Sequence, residues 1–235
     1  MSSAEALTIA SLNMHGGVDR FGQPYDIEAA CHQIKADVIA LQEVWQPAEE
    51  PDQLAATADQ LGLRLMYAGL TTRTSLRRLR VGPDTRPGDW GIAVLTARPV
   101  LSYQVVPLGR APGDAIPRAA QVVTLGLPGG GALRVANTHL THRFSSPVQL
   151  LLLAGRLAAG TEPTVITGDL NMPGPATLVA ASYRRALRGP TYPAHRPVIQ
   201  LDHFLTGPRV SVDAAEVLSG VGSDHLPIRA HLRIR

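Results

Sequence analysis

Carboxylate, imidazole and amide side chains recur at the ends of short apolar runs along this chain of 235 residues. They are Asn13, Glu43, His139, Asp169, Asn171, Asp202, Asp224 and His225. A polar side chain next to a buried strand emerges at the edge of a sheet, where residues far apart in sequence can meet. Carboxylates bind divalent cations, and carboxylates and imidazoles transfer protons. The recurrence therefore indicates a site assembled from several strand ends.

The segment Gly168-Asp169-Leu170-Asn171 shows how such a site is built locally. Asp169 and Asn171 are two positions apart, so an extended backbone directs both side chains to one side. Taken singly, these residues also have structural explanations. Asn13 and Asp169 can form turns or helix caps, and His225 can be a hydrogen-bonded histidine of the core.

Composition is typical of a globular protein. Hydrophobic residues make up 45% of the sequence, and 235 residues fit one domain, which we take as residues 1–235. No apolar stretch approaches the roughly 20 residues that span a bilayer, and the first residues do not resemble a secretory signal. We therefore expect a soluble, cytoplasmic monomer without integral membrane contact. The single cysteine, Cys31, excludes a disulfide framework within the chain and a multi-thiolate zinc site.

The net charge is only +3, from 22 basic and 19 acidic residues, which is too small to indicate a nucleic-acid partner. Two long irregular stretches are predicted, Gly69–Trp90 and Gly109–Ala119, and loops of this length are uncommon unless functional or mobile. The first contains Arg73, Arg77, Arg78, Arg80 and Arg86 against Asp84 and Asp89. It is either a solvated charged loop or a contact for an anionic substrate, made by Arg73, Arg77, Arg78 and Arg80.

Strands dominate the predicted secondary structure. The apolar, β-branched runs are Leu7–Leu12, Val38–Leu41, Leu63–Ala68, Ile92–Thr96, Val100–Val106, Gln121–Leu127, Leu133–Thr138, Thr164–Thr167, Leu201–Leu205, Val210–Val212 and Leu226–Leu232. The helical candidates are Tyr25–Lys35, Gln53–Leu61, Val148–Ala159, with a nearly wholly buried leucine face, and Ala176–Leu187. Three consecutive antiparallel strands are predicted between residues 100 and 138. This excess of strand predicts a mixed α/β fold with two layers of sheet.

Six ordered segments resemble the successive motifs of the endonuclease/exonuclease/phosphatase superfamily. They are Ser11-Leu12-Asn13, Leu41-Gln42-Glu43-Val44, Asn137-Thr138-His139-Leu140, Gly168-Asp169-Leu170-Asn171, Leu201-Asp202-His203-Phe204 and Ser223-Asp224-His225-Leu226-Pro227-Ile228. The resemblance runs from about Leu7 to Leu232. It implies a deoxyribonuclease I-like four-layer sandwich of two mixed β-sheets flanked by helices, with the site at one end of the sheets. It also implies hydrolysis of a phosphate ester with a divalent cation, usually Mg²⁺, with Mn²⁺ as a substitute.

The resemblance also assigns roles to the motif residues. Asn13, Glu43 and Asp224 are the expected metal ligands, in agreement with the preference of Mg²⁺ for oxygen. Asp169 is expected to orient or deprotonate the attacking water, and Asn171 to donate to a phosphoryl oxygen. His225, held by Asp202, is expected to contact the phosphate, and His139 to act on the leaving-group side or in phosphate binding.

Some features depart from parts of that superfamily. Abasic-site endonucleases of the exonuclease III type usually carry an acidic residue two positions after the first Asn, where this chain has His15. His15 is left open as a ligand, a phosphate contact or a turn residue. The leading interpretation is a Mg²⁺-dependent phosphodiesterase with a phosphate-ester substrate, and a nuclease acting on DNA or RNA is favoured. The alternatives are a hydrolase of a phospholipid head group, an inositol phosphate or a small phosphorylated metabolite, and an inactive binding scaffold.

Overall fold

The structure is a computed structural model that describes residues 5–50, 52–142 and 144–235. Within these ranges the strands are β1 (Glu5–Asn13), β2 (Val38–Pro47), β3 (Arg64–Thr74), β4 (Gly88–Thr96), β5 (Val100–Gly109), β6 (Arg118–Gly126), β7 (Ala132–His139), β8 (Thr164–Asp169), β9 (Arg184–Arg185), β10 (Asp202–Thr206), β11 (Val210–Val217) and β12 (Ile228–Ile234). The helices are α1 (Ile27–Ile34), α2 (Gln53–Gln60), α3 (Leu76–Leu79) and α4 (Ser146–Leu157). Short 3₁₀ turns cover His15–Gly17 and Gly174–Val179.

The strands form two mixed six-stranded sheets, and each has a parallel pair near its centre. The first sheet has the order β11-β12-β1-β2-β4-β3 and the second the order β5-β6-β7-β8-β10-β9. The pair β1 and β2 is joined through α1, and the pair β7 and β8 through α4. Parallel neighbours need such crossover connections, and their carboxyl ends meet at one edge of the sheet. In each sheet, therefore, the carboxyl ends of two neighbouring strands lie together at one edge.

The two sheets pack face to face, with helices on the outside. The inner core combines residues of both sheets, including Ile9 and Val38 from the first and Val135 and Phe204 from the second, and all four side chains are fully buried. The outer face of the first sheet packs against α1 and α2, and that of the second against α4. This four-layer arrangement confirms the fold class predicted from the sequence.

A buried polar seam crosses the interface between the sheets. The Gln42 side-chain amide donates to Asn137 Oδ1 at 2.7 Å. The Asn137 amide in turn donates to the backbone oxygens of Leu41, at 3.0 Å, and Ala93, at 2.9 Å. Gln42 and Asn137 are fully buried, so these bonds replace water contacts that both amides lose on folding. The seam ties β2 and β4 of one sheet to β7 of the other.

The prediction of a long irregular stretch over Gly69–Trp90 is wrong in part. Strand β3 continues to Thr74 and β4 begins at Gly88, because their backbones pair across register shifts. The Ser75 hydroxyl accepts from Arg78 N and starts the single turn of α3. The irregular stretch predicted over Gly109–Ala119 is present between β5 and β6, at residues 110–117.

The prediction of a helix over Ala176–Leu187 is also wrong. The chain forms a 3₁₀ turn over Gly174–Val179 and then the short strand β9, which pairs with β10. Leu178 on the 3₁₀ turn is 74% exposed, so no apolar stripe stabilises a helix there.

On α4 the leucine face is narrower than predicted. Leu150 and Leu153 are fully buried, but Leu151 and Leu152 are exposed, because successive helical residues point about 100° apart. In the described part of the chain, no helix is long and apolar enough to cross a bilayer.

Candidate active site

The sequence-predicted polar residues gather where the two central parallel pairs end. Asn13 is the last residue of β1, His139 ends β7 and Asp169 ends β8. Two close contacts link the predicted residues of the two sheets: His139 Nδ1 lies 3.5 Å from Glu43 Oε1, and His225 Nε2 lies 3.8 Å from Asp169 Oδ2. The site therefore straddles the two sheets, and each sheet contributes part of it.

A β-bulge in β2 directs Glu43 into this site. In the pairing of β2 with β4, Leu41 faces Ala93 and Val44 faces Gly91, so Gln42 and Glu43 both stand opposite one residue. Glu43 has φ +53°, in the left-handed region. Bulges commonly re-aim side chains next to functional sites. Burial raises the pKa of the Glu43 carboxyl to about 7, and Asp224 and Asp169 add to the rise while His225 opposes it.

Asp169 accepts hydrogen bonds from both sheets. Its Oδ2 accepts from the Asn13 amide at 3.0 Å, and its Oδ1 accepts from Asn171 N at 2.9 Å. Burial raises the pKa of Asp169 to about 6, and the charge on His225 works against this rise. The preceding Gly168 has φ +132°, and a Cβ there would collide with the Thr138 carbonyl oxygen. Only glycine therefore brings β8 close enough to β7 for Asp169 to occupy this position.

His225 is held by Asp202. The His225 Nδ1–H donates to Asp202 Oδ2 at 2.9 Å, and the Tyr192 ring packs on the imidazole with centroids 4.7 Å apart. Burial alone would lower the pKa of His225, but the carboxylates of Asp202 and Asp169 outweigh burial and raise it to about 10. The ring is therefore an imidazolium at neutral pH, with Nε2 directed toward Asp169.

His139 is a neutral imidazole. The Asn171 amide donates to His139 Nε2 at 2.9 Å and to the Leu140 carbonyl at 3.0 Å. Nδ1, which carries the proton in that arrangement, faces Glu43. Burial, together with the charge of Arg118, lowers the pKa of His139 well below its usual value. Both amide protons of Asn171 are thus engaged inside the protein, so the predicted bond to a phosphoryl oxygen requires one of them to be released.

Asp224 and His15 lie on the solvent side of the cluster. His15 Nδ1 is 3.6 Å from Asp224 Oδ1, and neither atom has a hydrogen-bond partner among the described residues although both are buried. The His15 backbone N–H donates to Asn13 Oδ1 at 3.0 Å. The Ser223 hydroxyl donates to the Asn13 carbonyl at 2.6 Å and so anchors the loop that carries Asp224 and His225.

A family model described as the Endonuclease/Exonuclease/phosphatase family matches residues 10–225 of the chain. The matched range contains every residue of the cluster just described. The chain belongs to this family. Its members are hydrolases that act on phosphate esters.

Solved structures show the same fold. An endonuclease/exonuclease/phosphatase from Beutenbergia cavernae is 25% identical, with a TM-score of 0.79, and the match covers 97% of this chain and 72% of that one. ANGEL2, a 2',3'-cyclic phosphatase crystallised with adenosine-2',3'-vanadate, is 17% identical, with a TM-score of 0.72 and coverage of 98% and 96%. A mannosyl-6-phosphatase from Bacteroides thetaiotaomicron is 16% identical, with a TM-score of 0.69 and coverage of 96% and 99%. No curated protein matches the chain.

The donor set of this family member suits a hydrated Mg²⁺ ion. Within the described ranges, no three His, Cys, Asp or Glu side chains form a cation cage by themselves. Mg²⁺ does not need one, because it keeps several waters and is held by one or two carboxylates. The raised pKa of Glu43 shows that nearby cations do not fully compensate its burial, and Asp224 Oδ1 has no hydrogen-bond partner among the described residues. Glu43, Asp224 and the Asn13 amide oxygen, which already accepts from His15 N, are the atoms that fit.

The four predicted substrate-binding arginines do not join the cluster. Arg73, Arg77, Arg78 and Arg80 are exposed, and in the described structure their side chains make no ion pair. Arg78 does line a cavity of about 320 Å³ that also includes Arg110 and Ile116. Arg110 and Ile116 lie in the loop between β5 and β6.

Arg118 belongs to the site and was missed by sequence reasoning. It is 6% exposed, lies 3.9 Å from Asp114, and its Nε and Nη1 atoms have no hydrogen-bond partner among the described residues. Burial lowers the pKa of its guanidinium, and Asp114, Glu43 and Asp169 oppose that shift. Asp114 is itself anchored, since its Oδ1 accepts from the Thr141 hydroxyl at 2.7 Å. No sequence signal pointed to Arg118, because it lies within the stretch predicted to be irregular, Gly109–Ala119, and before the predicted strand Gln121–Leu127.

Proposed function

We propose that this chain is a Mg²⁺-dependent phosphodiesterase and that nucleic acid is its favoured substrate. One observation carries the proposal: the Asp202–His225 pair faces Asp169 across 3.8 Å, with the carboxylate of Glu43 on the far side of His139. This juxtaposition supplies a base, a fixed cation and a metal carboxylate around one small volume. A bound Mg²⁺ ion would neutralise charge on the phosphate and polarise it. The complete set of residues is evidence against an inactive scaffold.

In this proposal Asp169 positions the attacking water. Its two oxygens are already oriented by Asn13 and Asn171, so the carboxylate cannot rotate away from the site. With a pKa of about 6 the group is mostly ionised at neutral pH and still basic enough to accept a proton from water. Orientation and basicity together are what a general base requires.

His225 and Arg118 supply fixed positive charge to the phosphate. His225 presents Nε2–H from a ring that Asp202 holds by the opposite nitrogen. Arg118 adds a buried guanidinium that lies 3.9 Å from Asp114 and acts electrostatically on Glu43 and Asp169. Donors that are already oriented in a site shielded from water stabilise developing charge strongly, because they need not reorganise during the reaction.

His139 acts here as a neutral group that aligns its neighbours. Its Nε2 lies 3.5 Å from Asp169 Oδ2, while Nδ1 faces Glu43. It therefore connects the proposed metal carboxylate to the proposed base. A neutral imidazole at this place can also donate to an ester oxygen on the leaving-group side.

The basic segment favours a polyanionic substrate. Arg78 and Arg110 line one cavity, which would give further phosphates of a polyanion a cationic contact. The 2',3'-cyclic phosphatase and the mannosyl-6-phosphatase act on different phosphate esters, so a phosphomonoester or head-group substrate is the second candidate.

The proposal is tested by assaying the full chain with Mg²⁺, Mn²⁺ or EDTA. The substrates are plasmid DNA, RNA, bis-(4-nitrophenyl) phosphate, 4-nitrophenyl phosphate, sphingomyelin and inositol phosphates. We expect hydrolysis of the diester and of nucleic acid with Mg²⁺, loss with EDTA, and recovery when Mg²⁺ is added back.

Two variants control for a contaminating enzyme. His225→Ala, prepared in parallel, should lose roughly 10²–10⁴ of activity, whereas the exposed change Gln33→Ala should leave turnover unchanged. Activity that resists EDTA, or activity confined to the monoester, contradicts the proposal.

A further inference from the structure

Several large apolar side chains are exposed on the outer side of the second sheet, and the chemistry described above uses none of them. Three of them are on α4: Val148, Leu151 and Leu152 are 67%, 57% and 40% exposed. Residues three and four positions apart are neighbours on a helix, so these side chains form one stripe. The stripe faces solvent, because the opposite side of α4 packs on the second sheet through Leu150 and Leu153.

The 3₁₀ turn Gly174–Val179 lies beside α4 and extends this stripe. Ala176 of the turn packs against the same core as the buried side of α4. Leu178 and Val179 are 74% and 40% exposed, and Phe144, two residues before α4, is fully exposed. Single exposed apolar residues are common, whereas a group on adjacent elements marks a surface that another molecule covers. We call this group the α4 surface; its members are Phe144, Val148, Leu151, Leu152, Leu178 and Val179.

Arginines lie on the same two elements and just beyond them. Arg156, in the last turn of α4, is exposed. Arg184 and Arg188, in the segment that follows the 3₁₀ turn, are exposed as well. The Arg185 guanidinium lies against Gly174 at the start of the turn, since a Cβ there would collide with it. The α4 surface therefore has cationic neighbours.

Few acidic residues balance these arginines. Residues 115–161, which include α4, contain no Asp or Glu, and neither do residues 170–201, which include the 3₁₀ turn. Between these two stretches, Asp169 is buried in the candidate active site, and Glu162 lies 3.8 Å from Arg134. This side of the protein is therefore cationic, although the whole chain carries a net charge of only +3. A partner that covers it should be anionic as well as apolar.

A lipid bilayer with anionic head groups matches both properties. Its surface attracts arginines, and the boundary below the head groups receives apolar side chains. Nucleic acid matches the charge, but its phosphate backbone offers leucine and valine side chains no apolar contact. A second copy of the chain matches the apolar side chains, but two-fold pairing would bring two identical cationic surfaces together.

We infer that the α4 surface docks the protein on a membrane that contains anionic lipids. The apolar side chains enter the boundary between head groups and acyl chains, and Arg156 and the neighbouring arginines contact lipid phosphates. Helix α4 has 12 residues, fewer than the roughly 20 that span a bilayer, so it lies on the membrane. The inference goes beyond the proposed function, because it holds whichever phosphate ester the site hydrolyses.

The test measures cosedimentation of the full chain with lipid vesicles. One set of vesicles is phosphatidylcholine alone, and the other contains about one third phosphatidylserine. Each arginine near an anionic membrane contributes on the order of a five-fold gain in binding. We expect at least about ten-fold stronger partitioning to the vesicles with phosphatidylserine, and a smaller preference in high salt.

Matched leucine variants locate the binding on the α4 surface. Leu151→Gln on α4 and Leu178→Gln on the 3₁₀ turn keep the net charge and change exposed positions, so the fold should tolerate them. Because less apolar surface is buried, each should weaken partitioning to the phosphatidylserine vesicles by at least about three-fold, and the double variant by at least about ten-fold. Leu101→Gln, on β5 outside the α4 surface, changes a leucine that is 61% exposed and should keep wild-type binding.

A charge variant tests the arginines separately. Arg156→Gln should weaken partitioning to the phosphatidylserine vesicles by roughly five-fold and leave partitioning to phosphatidylcholine alone unchanged. Thermal melts followed by circular dichroism show that each variant compared is folded.

Three results would overturn the inference: equal partitioning to the two kinds of vesicle, vesicle binding that survives the double leucine variant, or an equal loss in Leu101→Gln. Two further measurements identify another occupant. If the double variant weakens binding to single-stranded DNA, or dissociates a dimer in analytical ultracentrifugation, while vesicle binding is unchanged, then nucleic acid or a second copy covers the α4 surface. The vesicle assay involves no hydrolysis, so its failure is distinct from a failure of the proposed function.

Discussion

At the scale of single residues, the site combines acids and bases whose proton affinities are moved in opposite directions. Glu43 and Asp169 hold protons more tightly than ordinary carboxyls, His225 is kept charged, and His139 is kept neutral. Burial is common to all four side chains, so the neighbouring charges decide whether the pKa of each histidine is raised or lowered. Asp202 contacts His225, whereas Arg118 lies near His139.

Glu43 provides the first test of this arrangement. Burial raises the pKa of Glu43 to about 7 even with His225 and Arg118 nearby, so its carboxylate is costly to bury. We therefore expect Glu43→Gln to fold normally and to have a melting temperature at least equal to the wild type in EDTA. The same change removes the principal metal carboxylate, so Mg²⁺ should no longer raise the melting temperature, and activity should fall by at least about 10²-fold. Thermal melts with and without Mg²⁺ check the first result and diester assays the second. Near-wild-type turnover at saturating Mg²⁺ would contradict the assignment of Glu43.

The Asp202–His225 pair is tested by a double-mutant cycle. Asp202→Ala, His225→Ala and the double variant should each lose roughly 10²–10⁴ of activity, and the losses should not add, because either change disables the same unit. Additive losses in log units would mean that the residues act independently.

The pH dependence of the same pair follows from its contact. Asp202 stabilises the imidazolium, so Asp202→Asn should lower the pH at which His225 loses its proton from about 10 in the metal-free protein. Imidazole resonances in an NMR pH titration provide the measurement, and His231, which lies outside the site on β12, serves as an internal reference. An unchanged titration of His225 would show that Asp202 does not set its charge.

At the scale of elements, sequence reasoning located the strands better than the segments between them. Apolar, β-branched runs such as Val38–Leu41 became strands because both faces are buried in the sandwich. Residues Gly69–Thr74 lack that pattern, yet they extend β3 because β4 offers free backbone partners. The polar residues at strand ends were identified because they directly adjoin these apolar runs in the sequence. Arg118 was not, because its burial depends on Asp114 and on the opposite sheet, which no local pattern shows.

The basic segment between β3 and β4 gives a prediction at this scale. The double variant Arg77→Ala/Arg78→Ala should have a higher KM for DNA or RNA. Its KM should also depend less on salt concentration, because fewer counterions are released on binding. Turnover of bis-(4-nitrophenyl) phosphate should stay unchanged, since neither side chain contacts the central cluster. Arg209→Ala, at a second exposed arginine outside this segment, is the control. Equal effects on both substrates would show damage to the shared site instead.

At the scale of the whole molecule, the buried polar seam decides how the sheets are aligned. Asn137→Ala removes the amide donor to the carbonyl oxygens of Leu41 and Ala93. It also leaves the Gln42 amide with only its bonds to Ser11 and Ala40. Unsatisfied buried polar groups cost about 1–3 kcal/mol each, so the free energy of unfolding should fall by at least about 2 kcal/mol. Urea denaturation checks this, with the exposed Gln104→Ala as control. A loss below about 0.5 kcal/mol would show that the seam adds little to stability.

Because the site is divided between two sheets, catalytic activity depends on how the two sheets are aligned. A slide of one sheet by a single residue moves its strand ends by about 3.3 Å, more than the 3.0 Å that joins Asn13 Nδ2 to Asp169 Oδ2. Such a slide keeps every strand intact and yet separates the base from its partners. During refolding, the far-ultraviolet circular dichroism of the strands should therefore recover before hydrolysis does. The interval between the two signals measures the time that the two formed sheets need to pack in their native alignment.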